Sequence, residues 1–271
     1  MTSNFARGLL NAMPIRLLRL ILYLSRKYDL LELTTQKTTA RAPFSIIATS
    51  GDNKYLIVIA QSRTQKFYLE RSVLMQRKTK DLFEKYFVIN MPVEIGDKFG
   101  SLYVVYQYID HLSFSNSRYP IDTLKIMYMQ KERVYIDEDI LITIKKAFLD
   151  AWPQEFHSRI EKLSSFEQYF NSLRGKTEYL FYEHGDFNVE NVQTDGMNYY
   201  LFDYEFMKSD QTVEMDEYDY LTSLRADTTH LCANKSLLCD EINKIVDGKK
   251  FMFIRTLQKY YIKMVLNIIN K

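Results

Sequence analysis

Apolar positions between Phe5 and Leu31 recur at helical spacing. Leu17, Leu18, Leu20, Ile21, Leu22 and Leu24 form a wide apolar face, and Arg16, Arg19, Tyr23, Arg26 and Lys27 return every three to four residues on the other side. Pro14 predicts the start of the main helix, because proline is tolerated in a first turn. Short runs rich in β-branched and aromatic residues follow, at Leu31 to Thr35, Phe44 to Thr49 and Tyr55 to Ile59, and they predict strands. Ser50-Gly51-Asp52-Asn53 is a turn cluster, so the last two runs form a hairpin. Phe67 to Tyr86 reads as a helix, and Phe87 to Val93 and Leu102 to Ile109 read as two more strands.

Beyond His111 the pattern is mostly helical. Ser113 to Tyr119 is a polar connection, and Ile121 to Gln130, Asp137 to Ala151 and Ile160 to Leu173 are helix candidates. Arg174-Gly175-Lys176 closes the last of these, with glycine just past the helix. Tyr179 to Tyr182 and Tyr199 to Phe202 are short strands flanking the loop Glu183 to Asn198. Met215 to Lys271 is largely helical, broken at Gly248. The layout is a small sheet with one helix, residues 1–107, then a larger helical part, residues 108–271, that carries a β-hairpin in its middle.

The composition narrows the function classes. With 46% hydrophobic and 26% charged residues the chain is an ordinary folded protein. Its 36 basic residues are offset by 34 acidic ones, which gives no basic excess for nucleic-acid binding. Cys232 and Cys239 supply too few ligands for a zinc site or a disulfide framework and read as reduced thiols of a cytosolic protein. No run is long and apolar enough to span a bilayer, and no small-residue cleavage site follows Ile15 to Leu24. A basic amphipathic helix over residues 15–27 packs on its own domain or lies on an anionic membrane, and both readings stay open. His111, His157 and His230 stand isolated and read as surface or packing residues.

The chemistry concentrates in Tyr182-Glu-His-Gly-Asp-Phe-Asn-Val-Glu-Asn-Val192 and Tyr200-Leu-Phe-Asp-Tyr-Glu-Phe206. His184 stands two before Asp186, Asn191 stands five after it, and Asp203 follows on the next apolar strand. Phosphoryl transfer from a nucleotide asks for such a set: one carboxylate to orient the acceptor hydroxyl and take its proton, and a carboxylate and an amide oxygen to hold Mg2+.

This pair of segments resembles the aminoglycoside phosphotransferase and choline kinase branch of the protein-kinase-like fold, closest to its polysaccharide-associated bacterial members. The resemblance implies an α+β, bilobal protein-kinase-like fold, with a small β-rich N-lobe and a larger helical C-lobe that holds a catalytic-loop hairpin. It also implies a cytoplasmic ATP- and Mg2+-dependent kinase acting on a hydroxyl of a small molecule or sugar, at the inner membrane face if the first helix lies on lipid. By position Asp186 is the catalytic aspartate and His184 the histidine that braces the loop. Asn191 and Asp203 are the magnesium ligands, and Glu205 matches the acidic residue two places further on. Asn188 stands where relatives carry His or Lys. Gln107 and Tyr108 match the hinge that meets adenine, and Glu70 matches the helix glutamate that pairs with a strand lysine. Asp219-Tyr220-Leu221 resembles the segment whose Asp starts a helix beneath the loop.

The chain departs from that pattern in its first part. Tyr55-Leu-Ile-Val-Ile-Ala60 has no lysine, although Lys54 and Lys66 flank it, and Thr34 to Arg41 has no glycine. Backbone N–H groups of a Gly-rich loop ordinarily cradle phosphates, a task left here to Lys37, Thr38 and Thr39. A catalytically weak or inactive kinase-like scaffold is therefore the alternative reading.

Overall fold

The computed structural model describes residues 15–34, 41, 43–228, 231, 234–247 and 250–270, except for the side chains of 250–258. Cys232, His230, Gly248 and the Lys37-Thr38-Thr39 segment lie outside the described residues. The chain divides into two units, one of residues 1–69, 91–110 and 247–271, the other of residues 70–90 and 111–246.

The first unit is a five-stranded sheet with helical cover. Strands β1 (Asp29–Leu33), β2 (Phe44–Ser50), β3 (Asn53–Ala60), β5 (Pro92–Lys98) and β6 (Ser101–Gln107) stand in the order β1-β2-β3-β6-β5, with all neighbours antiparallel. The β2–β3 hairpin closes between Ser50 and Asn53, where Gly51 takes a φ of 60° that suits glycine. Helix α1 (Ile15–Leu24) buries Leu17, Leu20, Ile21 and Leu24 in one core with Ile46, Ile57, Ile59 and Val105. Tyr261, Ile262, Val265 and Leu266 of α9 (Lys250–Ile269) enter the same core. The last helix therefore shares the sheet's core, which a single boundary after residue 107 does not convey.

The second unit is mainly helical. It holds the later part of α2 (Arg63–Phe83), then α3 (Tyr119–Met129), α4 (Glu138–Leu149), α5 (Gln154–Ile160), α6 (Ser164–Leu173), α7 (Glu214–Ser223) and α8 (Asn234–Val246). Asp137 caps α4 by accepting the Ile140 N–H at 2.9 Å. The short strands β4 (Val88–Ile89), β12 (Tyr199–Leu201), β11 (Val192–Thr194) and β7 (Ser113–Phe114) form one sheet in that order. Two further pairs are β8 (Arg133–Tyr135) with β9 (Thr177–Tyr179), and β10 (Phe181–Glu183) with β13 (Lys208–Gln211). The chain is thus α+β, a sheet unit and a largely helical unit.

Several boundaries differ from the sequence pattern. The first helix ends at Leu24, because Lys27 and Tyr28 both return their N–H to the Leu24 carbonyl and strand β1 begins at Asp29. The run Tyr179 to Tyr182 is two strands with different partners, split at Leu180. The stretch Ile160 to Leu173 is the end of α5 and then α6, separated by residues 161–163. Strand β13 has the polar sequence Lys-Ser-Asp-Gln, so no apolar run announced it.

Candidate active site

Strand β10 carries the chain into His184-Gly185-Asp186, and α7 holds that turn from one side. Asp216, fully buried in the first turn of α7, accepts the His184 N–H at 2.7 Å and the Gly185 N–H at 2.8 Å, one on each carboxylate oxygen. Burial and the nearby Glu183 carboxylate push the Asp216 carboxyl up, while the two amides favour its charged form. This is the loop-supporting aspartate that the sequence pattern put at Asp219; it lies three residues earlier, one turn nearer the start of the helix. Ser223 and Tyr220 of α7 add to the support: the Val189 N–H donates to Ser223 Oγ at 3.2 Å, and the Tyr220 ring packs against that of Phe187 at 5.3 Å between centroids.

Gly185 is glycine for two physical reasons. Its φ is 79°, and a Cβ there would stand 2.6 Å from Lys208 Nζ and 2.8 Å from the Phe206 carbonyl oxygen.

His184 braces the loop. Its Nε2 lies 2.8 Å from the Phe202 carbonyl, and its ring sits between those of Phe187 and Tyr204. Burial pushes its pKa down to about 4, so near neutral pH the imidazole is uncharged and Nε2 carries the proton it donates. That bond ties the loop to the residue preceding Asp203.

Asp186 is half-buried and held by two amides. Asn188 Nδ2 donates to its Oδ1 at 2.8 Å, and Asn191 Nδ2 donates to its Oδ2 and to its backbone carbonyl, each at 2.9 Å. Asn188 Oδ1 in turn accepts the N–H groups of Glu190 and Asn191, at 2.8 and 3.1 Å, a local turn for which asparagine is well suited. Asn188 thus orients Asp186 rather than reaching outward as a Lys or His there could. The Asn191 carbonyl accepts the Phe202 N–H at 2.9 Å, next to the β11–β12 hairpin in which Val192 faces Leu201.

Asp203 leaves β12 in the left-handed region, φ 60° and ψ 65°, which Asp tolerates better than most residues, and its side chain is exposed. Arg71 of α2 then clamps the backbone beyond it, bonding the carbonyls of Glu205 at 3.0 Å and Met207 at 2.5 Å. Glu205 itself is half-buried.

The structure therefore brings His184, Asp186, Asn188, Asn191 and Asp203 into one linked constellation, with Glu205 just beyond it. Glu70 is exposed on α2. Gln107 and Tyr108 belong to the first unit, where the Tyr108 N–H and Gln107 Nε2 both donate to the Lys54 carbonyl, at 2.9 and 3.2 Å. Lys54 bonds Asp110 at 2.9 Å and Lys66 bonds Asp97 at 3.0 Å, so both lysines flanking β3 have carboxylate partners.

Sequence reasoning missed a charged cluster beneath the loop. Glu183, Lys208 and Lys235 are all essentially inaccessible. Lys235 pairs with Glu183 Oε2, Lys208 stands 3.5 Å from Glu183 Oε1, and Lys208 donates to the Phe206 carbonyl at 2.9 Å. Burial alone would push the Lys235 ammonium down, but the Glu183 carboxylate more than reverses this and its pKa is raised. Asp219, half-buried nearby, is pushed up to about 8 by burial and by the Asp216, Asp186 and Glu183 carboxylates. A glutamate ending an apolar strand just before His184 was the available signal. Burial pushes the Cys239 thiol up to about 12, which makes it inert. Among the described residues no three His, Cys, Asp or Glu side chains cluster as a metal cage.

No family model matches the chain, and no curated protein matches it. Solved structures do resemble it. The gentamicin complex of APH(2″)-IIa is 12% identical with a TM-score of 0.49, over 89% of this chain and 94% of that one. Aminoglycoside phosphotransferase APH(4)-Ia is 10% identical with a TM-score of 0.48, over 90% and 88%. Spectinomycin phosphotransferase APH(9)-Ia, solved with ADP and spectinomycin, is 13% identical with a TM-score of 0.41, over 93% and 97%. At such identities and scores the likeness assigns no residue a role, and the roles rest on this chain's own geometry.

Proposed function

We propose that the chain is a protein-kinase-like phosphotransferase that uses ATP and Mg2+ to phosphorylate a hydroxyl of a small molecule or sugar. The observation that carries this reading is the pair of amides, from Asn188 and Asn191, that fixes both oxygens of Asp186. A carboxylate so held keeps lone pairs for an acceptor hydroxyl, which it orients and whose proton it takes as the oxygen attacks phosphorus. Asn191 presents its Nδ2 to Asp186, which turns its Oδ1 the other way, and Asp203 adds an exposed carboxylate; these hard oxygens fit magnesium, with Glu205 as an outer neighbour. Bound there, magnesium neutralises charge on the phosphates. His184 keeps the two halves of the site in register. Gln107 and Tyr108 receive the adenine through backbone groups other than the Tyr108 N–H, and Glu70, exposed on α2, holds the place of the helix glutamate that pairs with a strand lysine. The reaction belongs to the cytoplasm.

A second reading, an inactive scaffold, is favoured by one observation. Lys54, the lysine of β3, is at its exposed start and bound to Asp110. The test is calorimetric titration of ATP with Mg2+ into the native chain and into Asp203→Ala. Saturable binding that needs magnesium and is lost in the variant supports the enzyme and justifies an acceptor screen among sugars and amino alcohols. A folded native chain that binds no nucleotide at millimolar concentration overturns it.

A further inference from the structure

The sheet unit carries an unusual hairpin tip. Between Lys98 and Ser101 the chain turns through Phe99 at φ 53° and Gly100 at φ 75°. A two-residue turn with both central φ values positive favours Asn, Asp or Gly, and a bulky residue in that region is disfavoured. Phe99 nonetheless stands there, 42% exposed. It adds little to the core, so its presence at a strained, projecting position calls for an external partner.

The tip is attached to α1. The Phe99 ring meets that of Tyr23 edge-on at 6.4 Å between centroids, and Arg16 Nη1 lies 3.2 Å from where a Cβ on Gly100 would stand. The outer side of α1 shows the same mixture as the tip. Ile15 is 63% and Leu22 45% exposed, and Arg16, Arg19 and Arg26 are exposed with them. Residues 15, 19 and 22 recur at helical spacing and so share one side of α1, and Arg26 follows in the turn just past its end. Lys98 adds a fourth cation beside Phe99. The carboxylates of the adjoining strand are engaged elsewhere: Glu94 by Lys27, Tyr28 and Tyr103, and Asp97 by Lys66. Among the described residues no ion pair involves Arg16, Arg19, Arg26 or Lys98.

We propose that this face docks on the surface of an anionic lipid bilayer. Phe99, Ile15 and Leu22 enter the headgroup boundary, and Arg16, Arg19, Arg26 and Lys98 meet the lipid phosphates. Scattered apolar points set among cations suit a fluid anionic interface, where apolar burial and charge add. The inner side of α1, with Leu17, Leu20, Ile21 and Leu24, stays in the core, so the helix need not leave the unit to bind. The same four cations could face an acidic protein, but that would give an exposed phenylalanine in a left-handed turn no task. The inference stands without the phosphotransferase reading.

The test is cosedimentation of the full chain with phosphatidylcholine vesicles, with and without phosphatidylglycerol, at low and high salt. The native chain is expected to bind only the anionic vesicles and to release as salt screens the charges. Arg19→Gln with Arg26→Gln should lower partitioning about 25-fold, from about fivefold per arginine. Phe99→Asn should lower it severalfold while leaving the melting temperature equal or higher, because asparagine relieves the turn. That opposite movement separates loss of binding from loss of fold. No binding of the folded native chain to anionic vesicles overturns the proposal. So does salt-sensitive binding that Phe99→Asn leaves intact, since charge alone would then suffice.

Discussion

In the sheet unit the deepest positions are hydrocarbon, among them Leu20, Ile46, Ile57 and Ile59, and the ion pairs Lys54–Asp110 and Lys66–Asp97 lie toward the surface. In the helical unit Glu183, Lys208, Lys235, Asp216 and His184 are as deeply buried as the aromatic residues around them. Among the described residues no charged side chain of the sheet unit is buried to that degree. Apolar burial is non-directional and indifferent to pH, so such a core can exchange one aliphatic residue for another of similar size at modest cost. A buried ionic cluster costs desolvation and gains only where each charge has its partner. Its return is directional: Asp216 fixes two amides, and Lys208 fills the space that only a glycine at 185 leaves open.

The largest effect that would test this contrast comes from removing the central anion. Glu183→Gln keeps the shape but leaves Lys208 and Lys235 buried without it, at a cost of about 3–5 kcal/mol by chemical denaturation. Adding Lys235→Met to the variant should recover part of the loss, a coupling that a purely steric defect would not show. Ile57→Ala in the sheet unit should cost a comparable ~2–5 kcal/mol, but with no change across pH 5 to 8. If Glu183→Gln proves neutral, the charges are not what holds the loop.

Next in size is Gly185→Ala. The left-handed φ costs roughly 1–2 kcal/mol, and the methyl must displace Lys208 Nζ or the Phe206 carbonyl, which adds about 1–3 kcal/mol. The lost stability should come with weakened nucleotide affinity, measured by the same calorimetry as Asp203→Ala. Gly51→Ala, at φ 60° with open space around its Cβ, isolates the conformational part alone.

What the sequence made legible follows the same division. Strands β2, β3 and β6 and the inward side of α1 were read from apolar runs and helical spacing, because their burial is the burial of hydrocarbon. The order His184, Asp186, Asn191, Asp203 was legible because each residue type is demanded by chemistry at a short, fixed spacing. Strand β13 and the Glu183–Lys208–Lys235 cluster were not, because buried lysines look like surface lysines until their partners, up to 52 residues apart, are known. Asp216 was passed over for Asp219 for a related reason. Both stand on α7, Asp216 in its first turn and Asp219 at its middle, and only the fold shows which one faces the His184 and Gly185 amides.

The remaining effects are in pH, where groups of the helical unit pull in opposite directions. His184 has a folded pKa of about 4 against 6.5 for a free side chain. The unfolded chain therefore binds the extra proton, and this contribution is complete above pH 6.5 and lost as pH falls toward 4. Asp219 has a folded pKa of about 8 against 3.8. There the folded chain holds the extra proton, so its contribution is complete below pH 3.8 and lost as pH rises toward 8. Asp216, pushed up from 3.8 to about 7, declines in the same direction as Asp219. The native chain should thus lose stability as pH rises from 4 to 8, with the His184 gain offsetting part of that loss below pH 6.5. Asp219→Asn removes one arm. Its denaturation midpoint should rise relative to the native chain, by a margin that widens steadily from pH 4 to pH 8. A margin that stays constant over that range would mean that Asp219 titrates normally and that the electrostatic strain under the loop stops at Asp216, Glu183 and the two lysines.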